Sequence, residues 1–287
     1  MAVKYQNVAI LLMLVVCVEA HRMKRLSLPE FHGEETLNLA KYVVSIRSRT
    51  PYKYFGDNHY CGGGLISPSW VITSAHCVMS PTKIMFRARL LLVVAGSPHR
   101  MRYIAGRTIC MPVKELHVPK NFTMHNTFNM ALIKLQESLP TNDPRIGFLH
   151  LPSEPPTVGG MHSVLGWGRM YPGGPLSMNI YHLKVELLDN GLCKRHFHHY
   201  PEGMICTGKN NWTSEADPCN GDIGSPLIKG MVIVGIVAYP IGCGIKIIPT
   251  VYTDVYSSIK WIRATAFGIS STISPLSLIA LLVIGLS

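Results

Sequence analysis

The stretch Gly221-Asp222-Ile223-Gly224-Ser225-Pro226-Leu227 carries the most information about this 287-residue chain. Two other stretches bear on it: 70–77, which contains His76, and 129–135, which opens with Asn129. Ile223 lies at the centre of the first stretch and has no lone pair to attack a carbonyl and no proton for a base to remove. Covalent acyl transfer needs an activated hydroxyl, thiol or amine. Ile223 therefore excludes that chemistry at its own position.

Motifs along most of the chain resemble the trypsin-like serine proteases. Segment 60–67 (YCGGGLIS) resembles the strand that carries the family's first disulfide, and 70–77 (WVITSAHC) resembles the loop around its catalytic histidine. Segment 129–135 resembles the one that normally opens with the catalytic aspartate. The remaining matches follow in the family's order: Gly166-Trp167-Gly168, 221–227, Val251-Tyr252-Thr253 and Trp261-Ile262. The resemblance spans residues 41–263 and implies an all-β fold of two six-stranded antiparallel barrels with a C-terminal helix.

By this resemblance the positions of the catalytic triad are His76, Asn129 and Ile223. In a working triad the serine attacks, the histidine takes its proton and the aspartate holds the imidazole in the correct tautomer. The amide of Asn129 can donate to the ring nitrogen that should itself donate, and an aspartate-to-asparagine change lowers turnover about 10⁴-fold in trypsin. The oxyanion donors correspond to the backbone at Gly221 and Ile223. Ser225 lies two residues further on, where its hydroxyl would miss the near-attack geometry that catalysis needs.

The residues that correspond to the substrate pocket keep one feature of the family and change several others. Asp217 matches the aspartate that pairs with Lys or Arg of a substrate, a strong charge-assisted interaction. The strand ending in Tyr239 and Pro240 resembles the family's Val-Ser-Trp-Gly segment, but Pro240 has no amide to donate to a bound peptide. Thr250 stands where active enzymes have a glycine. We interpret Asp217 as a relic; the alternative is the base of a reduced pocket.

The usual activation step is also predicted to be absent. Trypsin-like zymogens are cut before an Ile-Val-Gly-Gly type sequence, and the freed amine pairs with the aspartate that corresponds to Asp222. Residues 21–41 contain no such sequence. Cleavage after Lys24-Arg25 would give an end beginning with Leu26, without the paired glycines that allow insertion.

Composition agrees with one turn-rich β domain. The chain is 47% apolar with 25 glycines and 20 prolines, and short β-branched runs at 42–46, 71–73, 90–94 and 232–237 are typical of a sandwich or barrel. We divide the chain into four parts: a signal peptide at 1–20, an N-terminal segment resembling a propeptide at 21–40, a protease-like domain at 41–267 and an apolar tail at 268–287.

Residues 1–20 have the features of a secretory signal, with one lysine, an apolar run at 8–18 and a small residue, Ala20, before the expected cleavage. Secretion favours disulfides, and seven of the eight cysteines remain once Cys17 is removed. The resemblance implies the pairs Cys61–Cys77, Cys193–Cys206 and Cys219–Cys243. Cys110 is then either a buried free thiol or part of an intermolecular bridge.

The last 24 residues carry no charge. Small residues at 268–272 followed by an apolar run at 276–286 favour a glycolipid-anchor signal. The alternatives are a transmembrane helix over 264–286, which Pro275 disfavours, and a plain apolar extension.

The net charge of +11 favours anionic partners. Five arginines are concentrated between Arg87 and Arg107, either as simple solubility charge or as a site for anionic glycans. Asn121 and Asn211 begin glycosylation sequons. Residues 97–102, where calcium-binding trypsins carry glutamates, contain no carboxylate, so no metal is predicted there. The cluster His196, His198 and His199 is predicted to be a solvated loop.

The substitutions therefore predict a secreted, catalytically inactive homologue of these proteases. The resemblance, which extends to inactive homologues found in insects among other animals, implies a role as a binding partner, decoy or regulator of proteolysis. The expected partner is an extracellular protein, either an active protease or an inhibitor. We expect no cofactor, no metal, no nucleic acid, and membrane contact only through the tail. The competing hypotheses are an endopeptidase with unorthodox chemistry, suggested by His76, Asp217 and Asp222, and a basic glycan-binding protein.

Overall fold

The computed structural model describes residues 33–268, except for 126, 170, 172, 209–217 and 240–247. Within them, twelve strands form two closed barrels in which neighbouring strands are antiparallel. This confirms the predicted fold. The expected signal peptide, the tail beyond Gly268, and the sequon residue Asn211 lie outside the described residues.

The first barrel holds six strands in the spatial order β1-β2-β3-β6-β5-β4. Their bounds are β1 Val43–Ser48, β2 His59–Ser67, β3 Trp70–Thr73, β4 Leu91–Ala95, β5 Ile109–His117 and β6 Ala131–Leu135. Strands β3 and β6 are direct neighbours, with Thr73 opposite Ala131. This pairing matters because the two strands lead into the segments that carry His76 and Asn129.

The second barrel has the order β10-β11-β12-β9-β8-β7. Its strands are β7 Met161–Gly166, β8 Tyr181–Leu187, β9 Met204–Gly208, β10 Pro226–Lys229, β11 Val232–Tyr239 and β12 Thr250–Asp254. The loop that carries Ile223 leads into β10, so it belongs to the second barrel.

In the part of the chain that the structure describes, three α-helices accompany the barrels: α1 Glu34–Ala40, α2 Asn190–His196 and α3 Ile259–Phe267. Helix α1 lies in the segment that resembles a propeptide, yet Leu39 and Ala40 pack against the core and Glu35 pairs with Lys184 at 2.6 Å. The Asp189 side chain caps α2 by accepting from the Gly191 and Leu192 amides. None of the helices among the described residues has the length and apolar character to span a bilayer.

Each barrel has its own apolar core, and a third cluster joins them. The third cluster takes Ile72 and Leu132 from the first barrel and Leu165, Ile228 and Ile236 from the second, all less than 2% exposed. Because this seam excludes water, the loops at its edge are held against a common rigid base.

Two predicted disulfides are present: Cys61–Cys77 and Cys193–Cys206, each with Cα atoms 6.0 Å apart. Cys219 is also disulfide-bonded, and Cys243, its expected partner, lies outside the described residues. Cys110 is a half-buried free thiol.

Candidate functional site

His76 and Asn129 lie side by side at the seam between the barrels. His76 is in a short 3-10 helix, Ala75–Cys77, directly after β3, and Asn129 precedes β6. The Ser74 hydroxyl donates to Asn129 Oδ1 at 2.7 Å, and the His76 backbone amide reaches the same oxygen at 3.3 Å. The structure therefore brings together two of the positions that the sequence assigns to a triad.

The side chain of Asn129 contacts both barrels. Its nitrogen donates to the Ala238 carbonyl at 3.4 Å, while its oxygen faces the His76 loop. Whichever way this amide faces the imidazole, it is neutral and supplies no negative charge to stabilise an imidazolium. Burial lowers the pKa of His76, opposed by hydrogen bonds to the Met124 backbone and to the Asn129 side chain.

Ile223 lies close to the residue that follows His76, since its carbonyl oxygen is 3.6 Å from Cys77 Sγ. Its half-buried side chain packs against the core of the first barrel. Its carbonyl accepts from the Gly62 amide at 2.8 Å, and the next amide, that of Gly224, donates to the Val237 carbonyl at 2.8 Å. The loop is therefore anchored to both barrels, and a hydrocarbon side chain occupies the position expected for a nucleophile.

The backbone around Ile223 keeps two available donors. Gly221 has a φ of 101°, a left-handed conformation that favours glycine. The amides of Gly221 and Ile223 donate to no acceptor among the described residues. The sequence assigned the oxyanion donors to this stretch of backbone, and such donors can bind a carbonyl oxygen without any covalent step.

Ser225 cannot present its hydroxyl to this cleft. The residue is fully buried, and its Oγ lies against Gly62 and Gly166 without a hydrogen-bond partner among the described residues. Its amide donates to the Asp222 carbonyl at 2.9 Å. The only hydroxyl within two residues of Ile223 therefore faces the interior.

Asp222 is fully buried and already has three donors. Its carboxylate accepts from the amides of Gly168 at 2.8 Å and Cys219 at 2.9 Å, and from the hydroxyl of Tyr181. Burial raises the pKa of Asp222 to about 6, although these three hydrogen bonds act to lower it. No ammonium or guanidinium group of the described residues pairs with it. Tyr181 thus donates to the carboxylate that accepts the freed amine in activated trypsins.

Sequence reasoning missed Tyr181, because a tyrosine that opens an apolar strand looks like an ordinary core residue. It also missed a buried polar chain behind the cleft. Arg47 Nε donates to Ser45 Oγ at 2.8 Å, Ser45 Oγ lies 2.8 Å from His59 Nδ1, and His59 Nε2 lies 3.0 Å from the Gly221 carbonyl. A serine inside the apolar run 42–46 was the available signal.

The expected pocket residues are described only in part. Thr250 is buried at the start of β12, opposite Thr207 on β9, and Tyr239 ends β11 opposite Val251. Asp217 and Pro240 lie outside the described residues.

Arg100 is buried, although the sequence counted it among five clustered arginines. Its guanidinium donates to the carbonyls of Gly56, Ser177 and Leu176. The loop at 97–102, which has no carboxylate, therefore has the guanidinium of Arg100 in its interior. Within the described residues no group of three His, Cys, Asp or Glu side chains is arranged to hold a metal ion. Asn121 lies exposed in a turn.

The comparisons with known proteins agree with this geometry. The chain is 29% identical to trypsin zeta of Drosophila erecta over 221 residues, which is 74% of this chain and 75% of that one. It is 30% identical to snake venom serine protease HS112 of Bothrops jararaca over 226 residues, 77% of this chain and 83% of that one. It is 29% identical to bovine coagulation factor XII over 248 residues, 77% of this chain but 38% of that longer protein.

The family model described as Trypsin matches residues 32–262, which is most of the chain. Together with the two barrels, their disulfides and the hydrogen bonds that hold Asn129 beside the His76 segment, this match shows that the chain belongs to the trypsin family of serine proteases.

Proposed function

We propose that this chain is a secreted, catalytically inactive trypsin-family protein that acts as a binding partner, decoy or regulator of proteolysis. The observation that carries the proposal is Ile223 at the position of the nucleophile, in a loop anchored to both barrels. Acyl transfer requires a nucleophile with a lone pair and a base that accepts its proton.

Two further observations support the absence of catalysis. Ser225, the nearest hydroxyl in the loop, is fully buried. Asn129 gives His76 a neutral amide in place of a carboxylate, so an imidazolium formed during proton transfer has no counter-charge.

The features that remain are suited to binding. The amides of Gly221 and Ile223 are available to a carbonyl oxygen, and the rigid seam holds them in place. A protein inhibitor or substrate loop bound there would not be cleaved. We therefore place the partner among extracellular proteins, either an active protease or an inhibitor of one.

A direct test is labelling by a fluorophosphonate probe together with hydrolysis of Arg and Lys peptide substrates. The purified protein is expected to show neither, while bovine trypsin at the same concentration shows both. Labelling that persists in a preparation free of host proteases would contradict the proposal and favour the alternative, an endopeptidase with unorthodox chemistry that uses the retained His76.

Binding is tested separately by affinity capture of the intact secreted protein, followed by titration with each captured protease or inhibitor. Removal of the imidazole at the cleft, His76→Ala, should weaken binding there, whereas His150→Ala, at an exposed residue outside the cleft, should not. Equal binding by the two variants would move the contact away from the cleft.

For localisation we propose tethering to the outer cell face by a glycolipid, on the basis of the small residues at 268–272 and the apolar run at 276–286. Phosphatidylinositol-specific phospholipase should release the protein from expressing cells. Retention while an anchored control protein is released would indicate a transmembrane helix, and appearance in the medium without treatment would indicate a plain extension.

A further inference from the structure

A cavity of about 280 Å³ lies between α1, the loop at 96–108 and the segment at 144–145. None of the positions expected to form the catalytic cleft line it. Its walls come from three separate parts of the chain, so the cavity exists only in the folded protein and cannot be recognised from any one sequence motif. Its size is close to the lower end of the range for small-molecule pockets, about 300 Å³.

Three cationic side chains line this cavity: Lys41, Arg107 and Arg145. Asp143 neutralises one of them, because its carboxylate accepts from Arg145 Nε at 2.8 Å and from Nη2. Arg145 Nη1 is buried and has no partner among the described residues. No carboxylate of the described residues pairs with Lys41 or Arg107. The Lys41 ammonium lies over the Tyr42 ring, 5.2 Å from its centroid, a contact that leaves its positive charge without a counter-ion, so an anionic group can pair with both side chains.

The rest of the wall is largely hydrocarbon. Leu37 on α1 and Ile104 in the loop are 49% and 37% exposed, and Pro98 and Pro144 lie beside them. Exposed apolar side chains that face one cavity together with unpaired cations favour a ligand with an anionic group and a compact apolar face.

We propose that this pocket binds one acidic sugar residue of an anionic glycan. Its sulfate or carboxylate pairs with Lys41 and Arg107, and the C–H face of its ring packs on Leu37 and Ile104. A cavity of this size accommodates one ring, and the adjoining residues of the glycan remain on the surface.

Arg100 is buried and cannot contribute to a charged surface patch, although it lies in the middle of the five clustered arginines. This favours a local site over one patch formed by all five. Arg87 and Arg89 are exposed on either side of Ala88 but do not line the cavity. They provide a matched control, because replacing them removes the same charge elsewhere on the first barrel.

The experiment titrates a heparin-derived tetrasaccharide into the secreted full-length protein at low salt, by calorimetry. We expect saturable binding of one tetrasaccharide per chain. The double variant Lys41→Gln with Arg107→Gln should lose about tenfold or more in affinity, while Arg87→Gln with Arg89→Gln loses at most about twofold. Unchanged thermal unfolding of both variants confirms that they fold.

Four outcomes would overturn the proposal. Equal losses in the two double variants would show diffuse charge attraction. Inorganic sulfate bound as tightly as the tetrasaccharide, or an unaffected Leu37→Ser variant, would remove the role of the sugar ring. Absence of saturable binding would remove the site itself. None of these results bears on catalytic inactivity, which the probe-labelling experiment tests separately.

Discussion

The imidazole Nε2 of His59 lies 3.0 Å from the carbonyl oxygen of Gly221 and joins the first barrel to the loop that carries Ile223. The carbonyl can only accept, so Nε2 carries the proton. Arg47 Nε can only donate, so Ser45 accepts from it and donates its own proton to His59 Nδ1. The chain of partners thus fixes one neutral tautomer of His59.

This arrangement predicts a loss of stability in acid. Burial lowers the pKa of His59 to about 3, below its value of about 6.5 in an unfolded chain. The neutral imidazole of His59 therefore contributes its full share to the free energy of unfolding above pH 6.5. That share is lost as the pH falls from 6.5 toward 3. Between pH 7 and 5 the loss amounts to about 2 kcal/mol.

Urea unfolding at pH 7 and pH 5 checks this value. The variant His59→Gln should be less stable at pH 7 but should lose about 2 kcal/mol less on acidification than the wild type. The exposed Val158 serves as the control, since Val158→Gln removes and adds no titratable group and should leave the pH dependence unchanged. The same pH dependence in all three proteins would show that His59 does not titrate as described.

Tyr181→Phe is expected to destabilise the protein by about 1–3 kcal/mol, because it removes a donor to a buried carboxylate. The pKa of Asp222 is already raised to about 6 by burial, and losing the hydroxyl raises it further. A carboxyl group whose pKa is higher in the folded state than in the unfolded state adds to the free energy of unfolding at low pH. That stabilisation is lost as the pH rises through its folded-state pKa. The cost of Tyr181→Phe should therefore be larger at pH 8 than at pH 4, measured by urea unfolding. Tyr171→Phe, at a residue that is 48% exposed, should cost nothing at either pH.

Ile223→Ser alone is expected to restore almost no activity toward Arg and Lys peptides. Asn129 still leaves His76 without a counter-charge, a loss of about 10⁴-fold in a related protease, and the N-terminal segment lacks an activation sequence. Measurable turnover should require Ile223→Ser, Asn129→Asp and a trypsin-like activation sequence together. Turnover by the single variant equal to that of the combined one would show that neither Asn129 nor activation limits catalysis.

Arg100→Met is expected to destabilise the protein by about 2–4 kcal/mol, since it leaves buried carbonyls without their charged donor. Arg102→Met, at an exposed residue of the same loop, should change stability by less than about 0.5 kcal/mol.

Thermal unfolding with calcium or with a chelator should give the same midpoint, because the guanidinium of Arg100 occupies the interior of the loop. A midpoint that rises with calcium would reveal a metal site in this loop.

The fold was predictable because independent signals coincide. The β-branched runs at 42–46, 71–73 and 232–237 lie within or overlap β1, β3 and β11. The motif residues supplied the pairings Cys61–Cys77 and Cys193–Cys206, both confirmed. The order of the motifs then placed the segments of the cleft.

The supporting groups of the site were not predictable, because their roles depend on contacts between distant segments. Arg100 looks like surface charge until Gly56 and Ser177 are seen to supply carbonyls. Tyr181 is 41 residues from Asp222, and no local pattern connects them. The orientation of Asn129 depends on Ala238 in the other barrel.

The hydrogen bond from Tyr181 to Asp222 bears on when the protein becomes functional. In a protease that is activated by cleavage, this carboxylate becomes available to the new N-terminal amine. The active fraction of such a protein therefore depends on how much of it has been cleaved. In this protein the carboxylate of Asp222 already accepts a hydrogen bond from the Tyr181 hydroxyl. A protease that removes the N-terminal segment is therefore expected to leave the surroundings of Asp222 unchanged. On that expectation, the amount of working protein depends on its synthesis, capture and clearance.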